Sequence, residues 1–340
     1  MSVTFIVAEE RRPVRKLKGG AVAVSPTRAS PAPRRIYAGS CERGEASAMA
    51  EEEIFKPPLA EGALAVSVTS GCSYNGCAFC TMYRGAPFRA LPLDAARTEL
   101  TAAKKIYPHV GRVFLEEGDA FALPAARLAE IARLVHEFYP NAAVSCFASI
   151  HNIKAKSQRE LAELRALGVN RLNVGAESGL DDVLAFMNKG FTAAETRRQL
   201  AKLRAAGIDF SVNIINGAAG SGRQSENARA NAALVNDLRP AAVFTTNLLR
   251  EAGSRLDLDV KSGAFKMCTL RQLVEEELEF IELLEIDGAY LYGINPCSVM
   301  PIRGKLISGK PRILEKFRRQ ISELTEEELN RTPMWGYCEE

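Results

Sequence analysis

The sequence predicts an α/β protein, a partial (β/α)6 TIM-like barrel of parallel strands with a C-terminal helical extension. Three observations carry that prediction. From residue 62 onward, short apolar runs alternate with amphipathic helical stretches about every 35 residues, the pattern of βα units on a parallel sheet. The segments that follow the runs are rich in glycine, asparagine and acidic residues, so polar chemistry gathers where the strands end, the working face of such barrels. The first run, Ala63 to Val68, leads directly into a loop that holds three cysteines.

Taken in order, residues 1–55 are expected to be an extension outside the fold. They are rich in Arg, Ala, Ser and Pro with weak periodicity, and the first 50 hold nine Lys/Arg against four Asp/Glu. An organelle transit peptide would suit that content, but Glu9 and Glu10 argue against it, and Met49 is an equally good first residue. The core is expected to span 56–290, with strands at Ala63–Val68, Arg112–Leu115, Ala142–Phe147, Arg171–Val174, Phe210–Ile215 and Ala242–Leu248. Helix starts are marked by Asp94 as an N-cap, Pro124 at a first turn, and capping boxes Ser157…Glu160, Thr192…Glu195 and Thr269…Gln272. A long acidic helix is expected from about residue 270 to 284, then an apolar stretch Ala289–Ile294 and a helical tail to about Leu329. Residues 291–340 are expected to close the rim of the barrel.

Composition excludes several classes. An apolar share of 47%, a charged share of 25% and a net charge of +3 over 340 residues are those of an average soluble globular protein, with no strong nucleic-acid signal. No run of about 18 apolar residues occurs, and the N-terminus lacks the basic-then-apolar order of a secretory signal, so no membrane partner is expected. Eight cysteines without regular pairing, three of them clustered, suit a reducing cytoplasm and a metal site better than a disulfide framework.

The clustered thiols are Cys72, Cys77 and Cys80, spaced C-x4-C-x2-C. Three thiolates leave one iron of a four-iron cluster open to another ligand, whereas structural zinc normally closes with four ligands. Cys146, Cys297, His109, His136 and His151 are the candidates for a fourth, and none stands at a recognisable metal spacing to the triplet. The strand ends that follow supply Glu116-Glu117-Gly118-Asp119, Gly175-Ala176-Glu177-Ser178-Gly179 and Asn216-Gly217-Ala218-Ala219-Gly220.

On these motifs the chain resembles the radical S-adenosylmethionine (radical SAM) superfamily, nearest its methylthiotransferase and coproporphyrinogen-oxidase-like branch. The usual family spacing is C-x3-C-x-aromatic-C, and this chain has one extra residue in the first gap. The resemblance implies that Cys72, Cys77 and Cys80 ligate a [4Fe-4S] cluster whose open iron chelates S-adenosyl-L-methionine. It implies that Gly118 permits close backbone approach, that Asp119 or Glu117 pairs with the cosubstrate ammonium, and that Glu177, with Ser178, faces its ribose. Asn216 and Gly217 would lie against the adenine, and Met187-Asn188-Lys189-Gly190 echoes a lysine-bearing segment of the same branch. Tyr83, Arg84, Phe88 and Arg89 follow the cysteine loop closely enough to cover the cluster, and Tyr292, Asn295, Cys297 and Ser298 fall where the family places substrate specificity.

The activity so implied is reductive cleavage of S-adenosylmethionine to a 5′-deoxyadenosyl radical that abstracts hydrogen from a small-molecule substrate, with an electron donor such as flavodoxin or ferredoxin. No residue is singled out as the catalytic group. The absence of a C-terminal cysteine array, a cobalamin-binding N-terminal region and an RNA-binding appendage after residue 300 points away from the branches that carry them. The competing reading is a non-enzymatic iron-sulfur redox sensor or cluster carrier, which has no use for the glycine and glutamate motifs at the later strands.

Overall fold

The computed structural model describes residues 63–293 and 301–333. Strand β1 (Leu64–Ser67) runs into a short ribbon of β2 (Thr69–Ser70) and β3 (Arg89–Ala90), and helix α1 (Leu93–Ile106) follows. Next come β4 (Arg112–Glu116), α2 (Ala125–Phe138), β5 (Ala143–Ala148), α3 (Ile150–Lys154), α4 (Gln158–Ala166), β6 (Val169–Glu177), α5 (Asp181–Phe186) and α6 (Ala193–Ala205). The remainder is β7 (Asp209–Asn216), α7 (Gln224–Leu238), β8 (Ala242–Asn247), α8 (Arg255–Lys261), α9 (Leu270–Leu283), β9 (Tyr290–Gly293), β10 (Ile302–Lys305), α10 (Lys310–Ser322) and α11 (Glu326–Asn330).

One eight-stranded sheet carries the fold, in the order β1-β4-β5-β6-β7-β8-β9-β10. All its pairs are parallel except β9 with β10. The six expected strands are all present. The sheet then continues through β9 and β10, across the boundary drawn at residue 290, and Ile302–Lys305 pairs as a strand where a helical tail was expected. Two basic residues among the four of β10 hide it from an apolar-run reading, and only the pairing with β9 makes it a strand.

Alternate residues of the parallel strands serve two environments. Val113, Leu115, Val144, Leu172, Val174, Val212, Ile214 and Val243 join Leu128, Ile131, Leu161, Leu200 and Val235 of the helices in one continuous core. Each such side chain contributes roughly 1.5–3 kcal/mol by leaving water. The opposite face carries Phe114, Phe147, Phe244 and Tyr292, with Phe114 edge-on to Phe147 and Phe244 stacked on Tyr292. Within the same strands Ser211 donates to Asn173 and Asn213 donates to Glu177, so β6 and β7 also share buried polar contacts.

The helix starts follow the capping chemistry closely. Ser157 and Thr269 form complete capping boxes with Glu160 and Gln272. Thr192 accepts the Glu195 amide without the reciprocal bond, because the Glu195 carboxylate is taken by Arg198 and Gln199. Asp94 is not the N-cap of α1: Pro92 holds that place with no side-chain bond, and Asp94 sits in the first turn, where the helix dipole favours an acid.

Candidate active site

The cysteine loop spans residues 71–88 and is closed at its base by the β2·β3 ribbon, which pairs Thr69 with Ala90 and Ser70 with Arg89. Cys72 and Cys77 are buried and Cys80 is partly so. The extra residue of the C-x4-C spacing is absorbed by a left-handed turn at Asn75, φ 45°. Its amide donates to the Cys72 sulfur at 3.4 Å and its side-chain nitrogen to the Tyr83 carbonyl at 2.8 Å, which draws the loop shut on itself.

The segments after two other strands grip the loop. After β6 and α5, the Met187 carbonyl accepts the Ala78 amide at 2.9 Å, the Asn188 side chain donates to the Gly76 carbonyl at 2.6 Å, and the Tyr74 hydroxyl donates to the Asn188 carbonyl at 2.5 Å. Tyr74 also stacks on His151, centroid to centroid 4.8 Å, and that ring meets the Lys189 carbonyl at 2.8 Å through Nε2. After β8, Glu251 accepts the Thr81 hydroxyl at 2.7 Å, and Arg84 reaches the Gly253 carbonyl.

The acidic turn after β4 presses against the loop from the other side. Gly118, at φ 64°, lies so close that a Cβ there would stand 2.2 Å from the Gly71 carbonyl oxygen, a contact only glycine permits. The Asp119 carboxylate accepts both the hydroxyl and the amide of Ser73 and is 1% exposed, so it is an anchor of the cysteine loop. Tyr83 lies over Gly118, and its hydroxyl is pushed up to about 12, first by burial and then by the negative charge of Glu117, Cys72 and Cys80.

Glu177 ends β6 at φ 65° and is fully buried. One carboxylate oxygen meets the Lys189 ammonium at 3.1 Å and the other accepts the Asn213 amide at 2.8 Å. The ammonium lies 3.7 Å from the Cys77 sulfur, so Cys77, Lys189, Glu177 and Asn213 form one polar chain beneath the rim. Burial works against the charge on Lys189, but Cys77 and Glu177 outweigh it and hold the group above the usual lysine range.

The other expected site residues divide. Ser178 donates to Asn227 of α7, and Gly179 would clash with the Ala230 carbonyl if it had a Cβ, so that part of the motif fastens β6 to α7. The Gly217 amide donates to both carboxylate oxygens of Glu276 on α9 at 3.0 Å, and an added Cβ would meet Leu273 at 2.8 Å. That glycine admits α9. Asn216 is 1% exposed, and neither polar atom of its side chain has a protein partner; the Asn213 carbonyl oxygen is likewise unpartnered. Of the proposed fourth ligands, His136 bonds the Ala142 carbonyl, His151 packs on Tyr74, and Cys146 is enclosed in the core. Asn295, Cys297 and Ser298 lie outside the described residues.

Comparison with known proteins gives the same core. Residues 66–221 match the family model described as the Radical SAM superfamily. These residues are a radical SAM domain. Similar solved structures include the archaeal Methanocaldococcus infernus Elp3 with an N-terminal deletion, at 14% identity and TM-score 0.50 over 77% of this chain and 63% of that one. Coproporphyrinogen III oxidase from Escherichia coli aligns at 18% identity and TM-score 0.49 over 65% of this chain and 51% of that one. The radical SAM methyltransferase TsrM from Kitasatospora setae aligns at 19% identity and TM-score 0.45, over 55% and 36%. The chain thus spans about half the length of the oxidase and about a third of TsrM. No curated protein matches the chain in sequence.

The cofactors of a radical SAM domain are a [4Fe-4S] cluster and S-adenosyl-L-methionine, and the residues present fit both. Three thiols on one loop suit three irons of a cuboidal cluster. Among the described residues no three His, Cys, Asp or Glu side chains close on a single ion, which a cluster spread over several irons does not require. The Asn216 amide and the Asn213 carbonyl oxygen are buried hydrogen-bonding groups at the strand ends that a sugar or purine edge would satisfy. Asn213 was not singled out from the sequence, and Lys189 entered only through the resemblance of Met187-Asn188-Lys189-Gly190, with no partner assigned to it. The signal for Asn213 was a polar residue inside the apolar run Phe210–Ile215.

Proposed function

We propose that the protein is a radical SAM enzyme that acts on a small-molecule substrate and draws electrons from a donor of the flavodoxin or ferredoxin kind. The observation that carries the reading is the joining of the cysteine loop to a buried polar chain, Cys77 to Lys189 to Glu177 to Asn213, with unpartnered hydrogen-bonding groups at its far end. A cluster carrier needs the first part alone.

Cys72, Cys77 and Cys80 would hold the cluster, with Tyr83 covering them from solvent. Gly118 keeps the second strand end close, Asp119 fixes the loop through Ser73, and Glu117 is the acid of that turn that the family resemblance offers for the cosubstrate ammonium. Glu177 orients Asn213, and Asn213 with Asn216 would bind the nucleoside. When bound, the cluster and cosubstrate supply a 5′-deoxyadenosyl radical able to abstract hydrogen. The protein's part is to bind, orient and exclude water.

Anaerobically reconstituted protein given dithionite and S-adenosylmethionine is expected to form 5′-deoxyadenosine. A sample with four irons per chain that forms none would overturn the reading. Supplying candidate metabolites with deuterium at the reacting position, and following the label into 5′-deoxyadenosine, would identify the substrate.

A further inference from the structure

Lys156 and Lys189 are the buried lysines among the described residues, and Lys189 is the one that faces the cysteine loop. It is 1% exposed, and a buried ammonium is strongly disfavoured unless it is paired. Its polar partners are the Cys77 sulfur at 3.7 Å and a Glu177 oxygen at 3.1 Å, and the rings of Phe79 and Phe191 each lie 5.7 Å from the nitrogen. The backbone is fixed as firmly as the head group. The Lys189 amide donates to the Leu184 carbonyl at 2.9 Å, and its carbonyl meets His151, which is itself held between Tyr74 and Phe191.

We infer that Lys189 is a potential-setting residue: its ammonium donates to the Cys77 thiolate and raises the reduction potential of the cluster bound there, while Glu177 on the same ammonium offsets part of that rise. The inference rests on the assignment of Cys77 as a cluster ligand. Reduction adds one negative charge to a cluster in a site of low dielectric, so a fixed cation in hydrogen-bonding reach of a ligand sulfur favours the reduced form. Hydrogen bonds to sulfur and local charge are the two protein levers on such potentials. A neighbouring carboxylate acts in the opposite sense and, by holding the ammonium, also sets how far it leans toward the sulfur. An arginine is not equivalent here, since a planar fork would not fit between one sulfur and one oxygen in this enclosure as a compact ammonium does.

The test is the midpoint potential of the reconstituted cluster, followed by electron paramagnetic resonance of the reduced form without S-adenosylmethionine, so that cosubstrate affinity plays no part. Glu177→Gln is expected to shift the potential upward. Lys189→Gln is expected to shift it downward with iron content retained. Because Lys189→Gln leaves Glu177 buried without its partner, the double variant Lys189→Gln/Glu177→Gln removes both charges and supplies the decisive comparison. Its potential should fall below that of Glu177→Gln alone. Coincident potentials for those two variants overturn the inference. Cys77→Ala tests the assignment beneath it: loss of iron supports that assignment, and retention of four irons overturns the assignment and the inference together.

Discussion

At Gly118 the backbone itself forms the contact between two strand ends. Gly118→Ala would place a methyl 2.2 Å from the Gly71 carbonyl oxygen in a left-handed conformation. The strain, about 1–3 kcal/mol, would fall on the loop that bears Cys72. The expected outcome is a sharp drop in iron per chain after reconstitution while circular dichroism stays native. Asn188→Ala removes the bond to the Gly76 carbonyl, worth about 1 kcal/mol, and is expected to speed iron loss to a chelator without preventing loading. Cys72→Ala, Cys77→Ala and Cys80→Ala should each abolish the cluster, with the absorbance of the reconstituted protein as the measure. Of these residues the cysteines were legible from sequence, because three thiols in nine positions form a local pattern. The Lys189 to Glu177 pairing was not, since it depends on how α5 returns the chain to the end of β6. The contact of Gly217 with α9 was not legible either, because Leu273 stands on a helix far along the chain.

At the scale of elements, α9 binds the ends of two strands through buried acids. Glu276 accepts the Gly217 amide and the Asn227 side chain, and Glu277 accepts the Thr245 hydroxyl. Burial, the largest cause for both, raises the carboxyls to about 8 and about 7 from an ordinary 4.5. The folded chain therefore keeps these protons to higher pH than the unfolded chain does. Their contribution to stability is complete below the unfolded value and is lost as pH rises through 7 and 8. Urea denaturation from about pH 5 to about pH 8 is expected to show stability falling by roughly a few kcal/mol, and Glu276→Gln should flatten the slope. An acid inside an amphipathic helix reads as a solvated face, so this burial is invisible until α9 is packed on α7 and β7. The six parallel strands were readable because both their faces are covered and their sequences are apolar runs. β10 was not, because it is half basic and is a strand only by its antiparallel pairing.

At the scale of the whole molecule, the described part is one sheet that continues past the domain match at residue 221 to a last antiparallel strand. The final elements are part of that core: Ile302, Leu306, Ile313, Phe317 and Leu329 are buried in the same cluster as the central strands. A chain ending at residue 293 is expected to lose the cover of α9 and β9 and to appear in the insoluble fraction, judged by soluble yield and size-exclusion profile. No helix among the described residues is long and apolar enough to cross a membrane.

The grip of residues 187–188 and of Glu251 on the cysteine loop bears on how the centre is assembled. Hydrogen bonds at Gly76, Ala78 and Thr81 fix the path of the chain between the thiols and just beyond the last of them. Protein contacts therefore offset part of the ordering entropy of that segment, which the cluster ligands alone would otherwise have to overcome. Limited proteolysis between residues 72 and 84 is expected to be faster in Asn188→Ala than in the unsubstituted chain, and equal rates would show that this bond does not hold the segment.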